Sequence, residues 1–266
     1  MKKIFISADI EGAAGVTNWC ETRYGGQGYE AACRQMTLET AAACRAAVDA
    51  GYEVVVKDGH EDAMNIDAGM LPRGVRLIRG WASNPMAMMS GLDKSFAGAI
   101  YIGYHSAAGT NTSPLKHTIE DYLFNWIKVN GVLMSEFGLN SLLADELKVP
   151  SLFLSGDKGI CEEAEKIYPG IVTVATKEGV GNSTCSLHPE DAVEQIEAGV
   201  ARSLSGAISV RPLEEKYTME INFKDHQRAR NASWYPGAES VDPFTVKYTA
   251  AGPFELAVAR TFMCGV

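Results

Sequence analysis

Three stretches of this chain each run apolar like a β-strand and then stop at residues of metal-ligand type. Lys3-Ile-Phe-Ile-Ser-Ala-Asp-Ile-Glu11 ends in Asp9 and Glu11, Tyr52-Glu-Val-Val-Val-Lys-Asp-Gly-His60 ends in His60, and Ala97-Gly-Ala-Ile-Tyr-Ile-Gly-Tyr-His105 ends in His105. Runs such as Val54-Val-Val56 offer water no polar face, a pattern that belongs to strands covered on both sides in a parallel sheet. In such a sheet the carboxyl ends of the strands share one edge, and ligands bind there. One Asp, one Glu and two His are therefore expected to meet.

The rest of the first 210 residues alternates in the same way. A helix is expected over Tyr29–Ala50, closed by Gly51, and a short strand over Val75–Ile78. Phe124–Val129, Asn130-Gly131 and Val132–Met134 read as a hairpin with a favoured two-residue turn. Ser135 caps a helix over Glu136–Leu147 that carries Phe137, Leu139, Leu142, Leu143 and Leu147 along one side. Strands at Ser151–Ser155 and Ile171–Ala175 and helices at Ile160–Ile167 and Pro189–Leu204 continue the series. The expected class is α/β, a mostly parallel sheet with flanking helices and right-handed crossovers, over residues 1–210. Past Pro212 the texture changes to two alternating strands, Thr218–Phe223 and Thr245–Tyr248, and a helix, Phe254–Met263. Residues 211–266 thus read as a smaller C-terminal α+β lobe for packing or assembly, with no cluster of ligand-type side chains.

Charge narrows the function. Twenty-four Lys and Arg against 33 Asp and Glu give −9, which opposes binding to nucleic acid or to an anionic membrane. No apolar run reaches the length of about 18 residues that marks a spanning helix. The start of the chain reads as a first strand rather than a secretory signal, because Asp9 and Glu11 interrupt its short apolar stretch. Cys20, Cys33, Cys44, Cys161, Cys185 and Cys264 show no Cys-x-x-Cys pair and read as free thiols, so the expected location is the cytoplasm.

Asp9 and Glu11 stand two apart, which in a strand puts both carboxylates on one face. Ile4, Phe5, Ile6, Ala8 and Ile10 mark that strand as buried, where two bare carboxylates repel and lose hydration unless a cation compensates. Asp58 is placed to orient the His60 imidazole from behind. His105 precedes the small residues Ser106-Ala-Ala-Gly109, a tight turn with room for a substrate. A single histidine at a strand end is usually a hydrogen-bonding residue. Together, however, the four supply the mixed nitrogen and oxygen donors that zinc prefers. His117, in the following loop, and Glu136, in the first turn of a helix, are not assigned by spacing: an exposed histidine and a helix-favouring acid would look the same. Gly-rich Glu11-Gly-Ala-Ala-Gly15 and Gly179-Val-Gly181 lack nucleotide-binding fingerprints. His188-Pro-Glu-Asp191 reads as a helix entry, and His226, among Lys224, Asp225, Arg228 and Arg230, as a solvated turn.

Taken in order, Ser7-Ala-Asp-Ile-Glu-Gly12, Lys57-Asp-Gly-His60, Ile102-Gly-Tyr-His105, Lys116-His-Thr118 and Ser135-Glu-Phe-Gly-Leu-Asn140 resemble the zinc-dependent D-aminopeptidase family of the DppA type. Ser155-Gly-Asp157 and Val174-Ala-Thr-Lys177 extend the resemblance over nearly the whole chain. It implies two zinc ions per subunit held by Asp9, which bridges, with Glu11, His60, His105 and Glu136. It implies that His117 is the catalytic residue, as nucleophile or general base. It also implies a substrate that is a short peptide with an N-terminal D-amino acid such as D-Ala, and a ring-shaped homo-oligomer, a decamer. Lys116 stands where a small polar residue is usual and Lys158 where a second acid is common. A cation beside His117 would favour its neutral form. The competing readings are another binuclear-metal amidohydrolase and a metal- or peptide-binding protein without catalysis.

Overall fold

The computed structural model describes residues 2–206 and 209–265. The chain begins with β1 (Lys3–Ala8), α1 (Tyr29–Asp49), β2 (Glu53–Asp58), β3 (Arg76–Ile78) and β4 (Phe96–Tyr104). A hairpin of β5 (Phe124–Val129) and β6 (Val132–Leu133) leads to α2 (Glu136–Glu146), β7 (Ser151–Asp157), α3 (Lys158–Ile167), β8 (Val172–Val180), β9 (Ser183–Ser186) and α4 (Pro189–Leu204). After these come β10 (Tyr217–Phe223), α5 (His226–Ala232), β11 (Glu239–Ser240), β12 (Thr245–Ala250) and α6 (Pro253–Cys264). The expected α/β class holds.

Seven strands form the large sheet in the order β3-β2-β1-β4-β7-β8-β9, with all pairs parallel except β8 with β9. Its apolar runs are shared between two faces at a period of two. Ile4, Ile6, Val54, Val56, Ile100 and Ile102 pack with residues of α1 and α4. Phe5, Val55, Ala99, Tyr101 and Leu154 pack on the other side with residues of α2 and α3. Between β1 and β4 the order reverses: the chain leaves β1 towards β2 on one side and returns to β4 on the other. Such a switch point opens a crevice at the carboxyl ends. Asp9, Glu11 and His105 lie there because of topology, before any detail of side-chain packing.

The second sheet is antiparallel, in the order β11-β12-β10-β5-β6, so residues 211–266 share their sheet with the hairpin at 124–133. The turn residues Asn130 and Gly131 have φ of 51° and 79°, the left-handed pair that a two-residue hairpin needs. α2 is buried all round rather than along one side. Phe137, Leu143 and Ala144 enter the large-sheet core, while Leu139 and Leu142 enter the core of the second sheet. This helix, which opens with Glu136, joins the two sheets. His226 begins α5, capped by Asp225 through the backbone N–H of Gln227, rather than lying in a turn.

Close approach at the switch point depends on glycine. Gly103, at φ +71°, would place a Cβ 2.1 Å from the Asp9 carbonyl oxygen. A left-handed conformation costs an L-residue about 1–2 kcal/mol, and overpacking against backbone adds about 1–3 kcal/mol. Gly103→Ala is therefore expected to lower stability by at least about 2 kcal/mol. An unchanged melting temperature in calorimetry would count against the tight β1–β4 junction.

Candidate metal centre

Asp9 and Glu11 follow β1, His60 follows β2, His105 follows β4, Glu136 opens α2, and His117 comes from the loop between β4 and β5. The structure brings all six together. Asp9, Glu11, His60, His117 and Glu136 line a cavity of ≈ 850 Å³, with His105, 1% exposed, close by Asp9 and Glu136. His60 Nδ1 lies 3.4 Å from Asp9 Oδ1 and 3.2 Å from Glu11 Oε2. His105 Nε2 lies 3.4 Å from Asp9 Oδ2 and 3.4 Å from Glu136 Oε1, while His117 Nε2 lies 3.5 Å from the same Glu136 oxygen. Asp9 thus offers one oxygen to each of two donor groups.

The remaining nitrogen of each histidine is tied to the backbone. His60 Nε2 meets the Thr22 carbonyl at 2.6 Å, His105 Nδ1 the Ser106 carbonyl at 3.1 Å, and His117 Nδ1 the Leu115 carbonyl at 3.0 Å. A carbonyl only accepts, so each of these nitrogens is the donor. In the neutral ring the lone pair then points at the carboxylates, the orientation a metal-binding imidazole needs. Asp9 Oδ2, Glu11 Oε2 and His105 Nε2 are buried with no hydrogen-bond partner. Two donors about 2.0–2.1 Å from a tetrahedral zinc stand about 3.3–3.4 Å apart, close to the 3.2–3.5 Å separations found. These residues fit zinc in donor type, spacing and unmet valence.

Electrostatics points the same way. Burial, with Glu11 nearby, pushes the Asp9 carboxyl up to about 7. Burial acts upward on Glu136 too, but the His105 and His117 charges outweigh it and bring Glu136 down to about 2. Glu11 falls well below the carboxylate range against its own burial, chiefly through His60. His60 and His105 are desolvated, yet the surrounding acids raise both, His105 to about 10. Protons on these two rings compensate the acids in metal-stripped protein, and a bound cation must displace them. Because both values are raised, the rings are protonated at neutral pH. Zinc affinity is thus expected to increase with pH towards 10, and uptake near pH 7 to release about two to three protons per chain, two from the rings and part of one from Asp9. Calorimetric titration in two buffers of different ionisation heat reads this number; heats independent of buffer would contradict it.

A family model for D-aminopeptidases, Peptidase_M55, matches residues 1–262. This chain belongs to the D-aminopeptidase family. It is 29% identical to a D-aminopeptidase of Bacillus subtilis (strain 168), over 98% of this chain and 96% of the relative. It also resembles a solved structure, the zinc-dependent D-aminopeptidase DppA from Bacillus subtilis, described as a self-compartmentalizing protease. That match has a TM-score of 0.93 at 27% identity and covers 99% of this chain and 97% of the other.

Within this D-aminopeptidase fold several expectations are corrected. Asp58 does not orient His60. It accepts from Asn65 N, Asn65 Nδ2 and Ile66 N at 2.7, 2.9 and 2.8 Å and so clamps the loop after the histidine. His117, which spacing alone left unassigned, is mostly buried. It stacks on His105 at 4.1 Å with rings 8° apart and meets the edge of Trp19. Its pKa is lowered by burial and by the His105 charge. Lys158 is turned away from the site and pairs with Glu178 at 2.9 Å.

Other residues support the site in ways the sequence did not assign, although Asp157 and Lys177 lie in segments that share the family resemblance. Asp157, at the end of β7, holds the turn beside His105 by accepting from Ser106 N at 2.7 Å and Ser106 Oγ at 2.5 Å. Lys177 is buried and donates to the carbonyls of Glu11, Ala13 and Val16, fixing the backbone that carries the acids. Ile119, a β-branched residue at φ +69°, gives its N–H to Glu136 Oε1 at 2.7 Å. That charged hydrogen bond offsets an otherwise costly conformation. The C-terminal segment is more than packing surface, because Arg260, Thr261, Phe262 and Gly265 form part of the cavity wall.

Proposed function

We propose that this chain is a zinc aminopeptidase that removes the N-terminal D-amino acid, such as D-Ala, from short peptides. The carrying observation is the division of Asp9 between His60 and Glu11 on one side and His105 and Glu136 on the other. In this reading Asp9, Glu11 and His60 would hold one zinc ion, and His105 and Glu136, together with Asp9, would hold a second. Bound zinc supplies Lewis-acid polarisation of the scissile carbonyl and acidifies water.

The chain does the rest. His117 donates Nδ1–H to Leu115 and keeps its Nε2 lone pair at the cavity. Its lowered pKa leaves it neutral at pH 7, fit to accept a proton at Nε2 and return it to the departing amine. Glu61, Asp62, Glu120 and Asp121 ring the cavity and favour a cationic amino terminus over an anionic one. Trp19, Trp81 and Tyr122 on the same wall limit water around the peptide.

The same reading includes a ring-shaped homo-oligomer, a decamer, in the cytoplasm. It is supported by exposed Trp234 and Phe262, at 75% and 71%, since large exposed apolar groups favour contact with another subunit. Six free thiols suit a reducing compartment. Among the described residues no helix is long and apolar enough to cross a membrane.

Zinc-reconstituted protein assayed on D- and L-alanyl peptides, aminoacyl amides and phosphoesters tests the activity. Turnover confined to peptides and amides, with D strongly over L, is expected. Preference for L-alanyl peptides or for phosphoesters would overturn the reading. Light scattering that returns a monomer at micromolar concentration would overturn the assembly.

A further inference from the structure

Arg260 is the only buried arginine among the described residues, at 6% exposed. It reaches the wall of the catalytic cavity from α6, on the side formed by Asn84, Ala87 and Met88. Among the described residues its guanidinium makes one hydrogen bond, from Nη2 to the Pro85 carbonyl at 3.4 Å. It makes no ion pair, whereas the cavity's other arginine, Arg23, is spent on Asp121 at 2.6 Å. A guanidinium has five donors and is rarely buried without an anion. Its other N–H groups have no partner among the described residues and keep access to solvent in the cavity. Glu136 is the acid whose charge acts on it, and that carboxylate already faces His105 and His117.

We propose that Arg260 binds the free C-terminal carboxylate of a short peptide whose amino end lies at the acidic centre. This rests on the aminopeptidase reading and adds a rule of selection to it: the site measures the peptide from both ends. Besides the acids assigned to zinc, the cavity walls carry Glu61, Asp62, Glu120 and Asp121, the last of them paired with Arg23. An anionic group entering among them is repelled everywhere except beside an unpaired cation. Arg260 is that cation. Its planar fork suits a carboxylate, with two parallel N–H···O bonds. Peptides that are too long, or that end in an amide, leave the guanidinium unmatched and lose affinity.

The test compares D-alanyl-D-alanine with its C-terminal amide, using zinc-loaded protein and following kcat and KM separately. Wild type is expected to favour the free acid in kcat/KM by about 10–100-fold, the range of a charged hydrogen-bonded contact. Arg260→Gln is expected to abolish that preference chiefly by raising KM for the acid, with a much smaller change in kcat and a much smaller effect on the amide. Arg260→Lys, which keeps the charge but not the fork, should retain part of it. Equal kcat/KM for acid and amide in wild type overturns the proposal without need of any variant. So does an Arg260→Gln protein, zinc-loaded and folded, that slows both substrates alike. A wild-type protein that cleaves the amide well and the acid poorly overturns the arginine role alone, whereas one that cleaves neither removes the aminopeptidase reading beneath it.

Discussion

His117→Ala is expected to lower kcat on a D-alanyl peptide by about 10²–10⁴-fold, the usual share of general acid–base catalysis, with zinc content and melting temperature unchanged. The expectation comes from the ring's surroundings. Nδ1 is committed to Leu115, one face lies on His105 and an edge meets Trp19. Nε2 alone faces the cavity, and no backbone group competes for it. The same nitrogen lies 3.5 Å from Glu136 Oε1, and His105, His117 and Glu136 are close enough together to hold one ion. Zinc content therefore decides between two roles. A fall in zinc together with activity would make His117 a ligand. An unchanged kcat with full zinc would leave it with neither role.

Asp9→Ala is expected to lose both zinc ions and to reduce turnover to that of chelator-treated protein. Without Asp9, Glu11 and His60 remain on one side and His105 and Glu136 on the other, each pair short of the donors a tight tetrahedral site uses. Glu136→Ala should release one ion and keep the other, because Asp9, Glu11 and His60 are untouched. The metal-stripped protein should respond in the opposite direction. Asp9 has its folded pKa raised to about 7 by burial and Glu11, so the charged form is disfavoured in the stripped fold, and stability falls as pH rises from the unfolded value through 7. Asp9→Asn removes that charge and should raise the melting temperature of stripped protein at pH 8. Stripped Asp9→Asn that melts below stripped wild type would contradict the electrostatic account.

Much of this was legible in the sequence because it depends on short-range pattern. Val54-Val-Val56 and Ile100-Tyr-Ile102 marked strands covered on both faces, and each strand end placed its ligand-type residue at the shared edge. Asn130-Gly131 specified its own turn, and Ser135 its cap, with the side chain accepting from Gly138 N at 3.0 Å. What the pattern missed lies far apart along the chain. β5 pairs with β10 across roughly ninety residues (Ile127 opposite Ile221), and no local signal records such a partner.

The same distance hid the supports of the site. Thr22, Asp157 and Lys177 act on His60, on the turn beside His105 and on the backbone of Glu11 through contacts visible only after folding. Asp58 misled because nearness in sequence suggested an imidazole partner, yet three N–H groups of the next loop claimed its oxygens. Arg260 gave no sign at all, since an arginine inside a helical pattern normally reads as solvated.

One titration tests most directly whether two cations share Asp9. Metal-stripped protein is supplied with zinc in small steps while turnover of a D-alanyl peptide is followed. Activity is expected to climb until about two equivalents per chain are present and then stay level, the stoichiometry of a two-metal hydrolase. Full activity at about one equivalent, or turnover that persists in chelator without zinc, would contradict it.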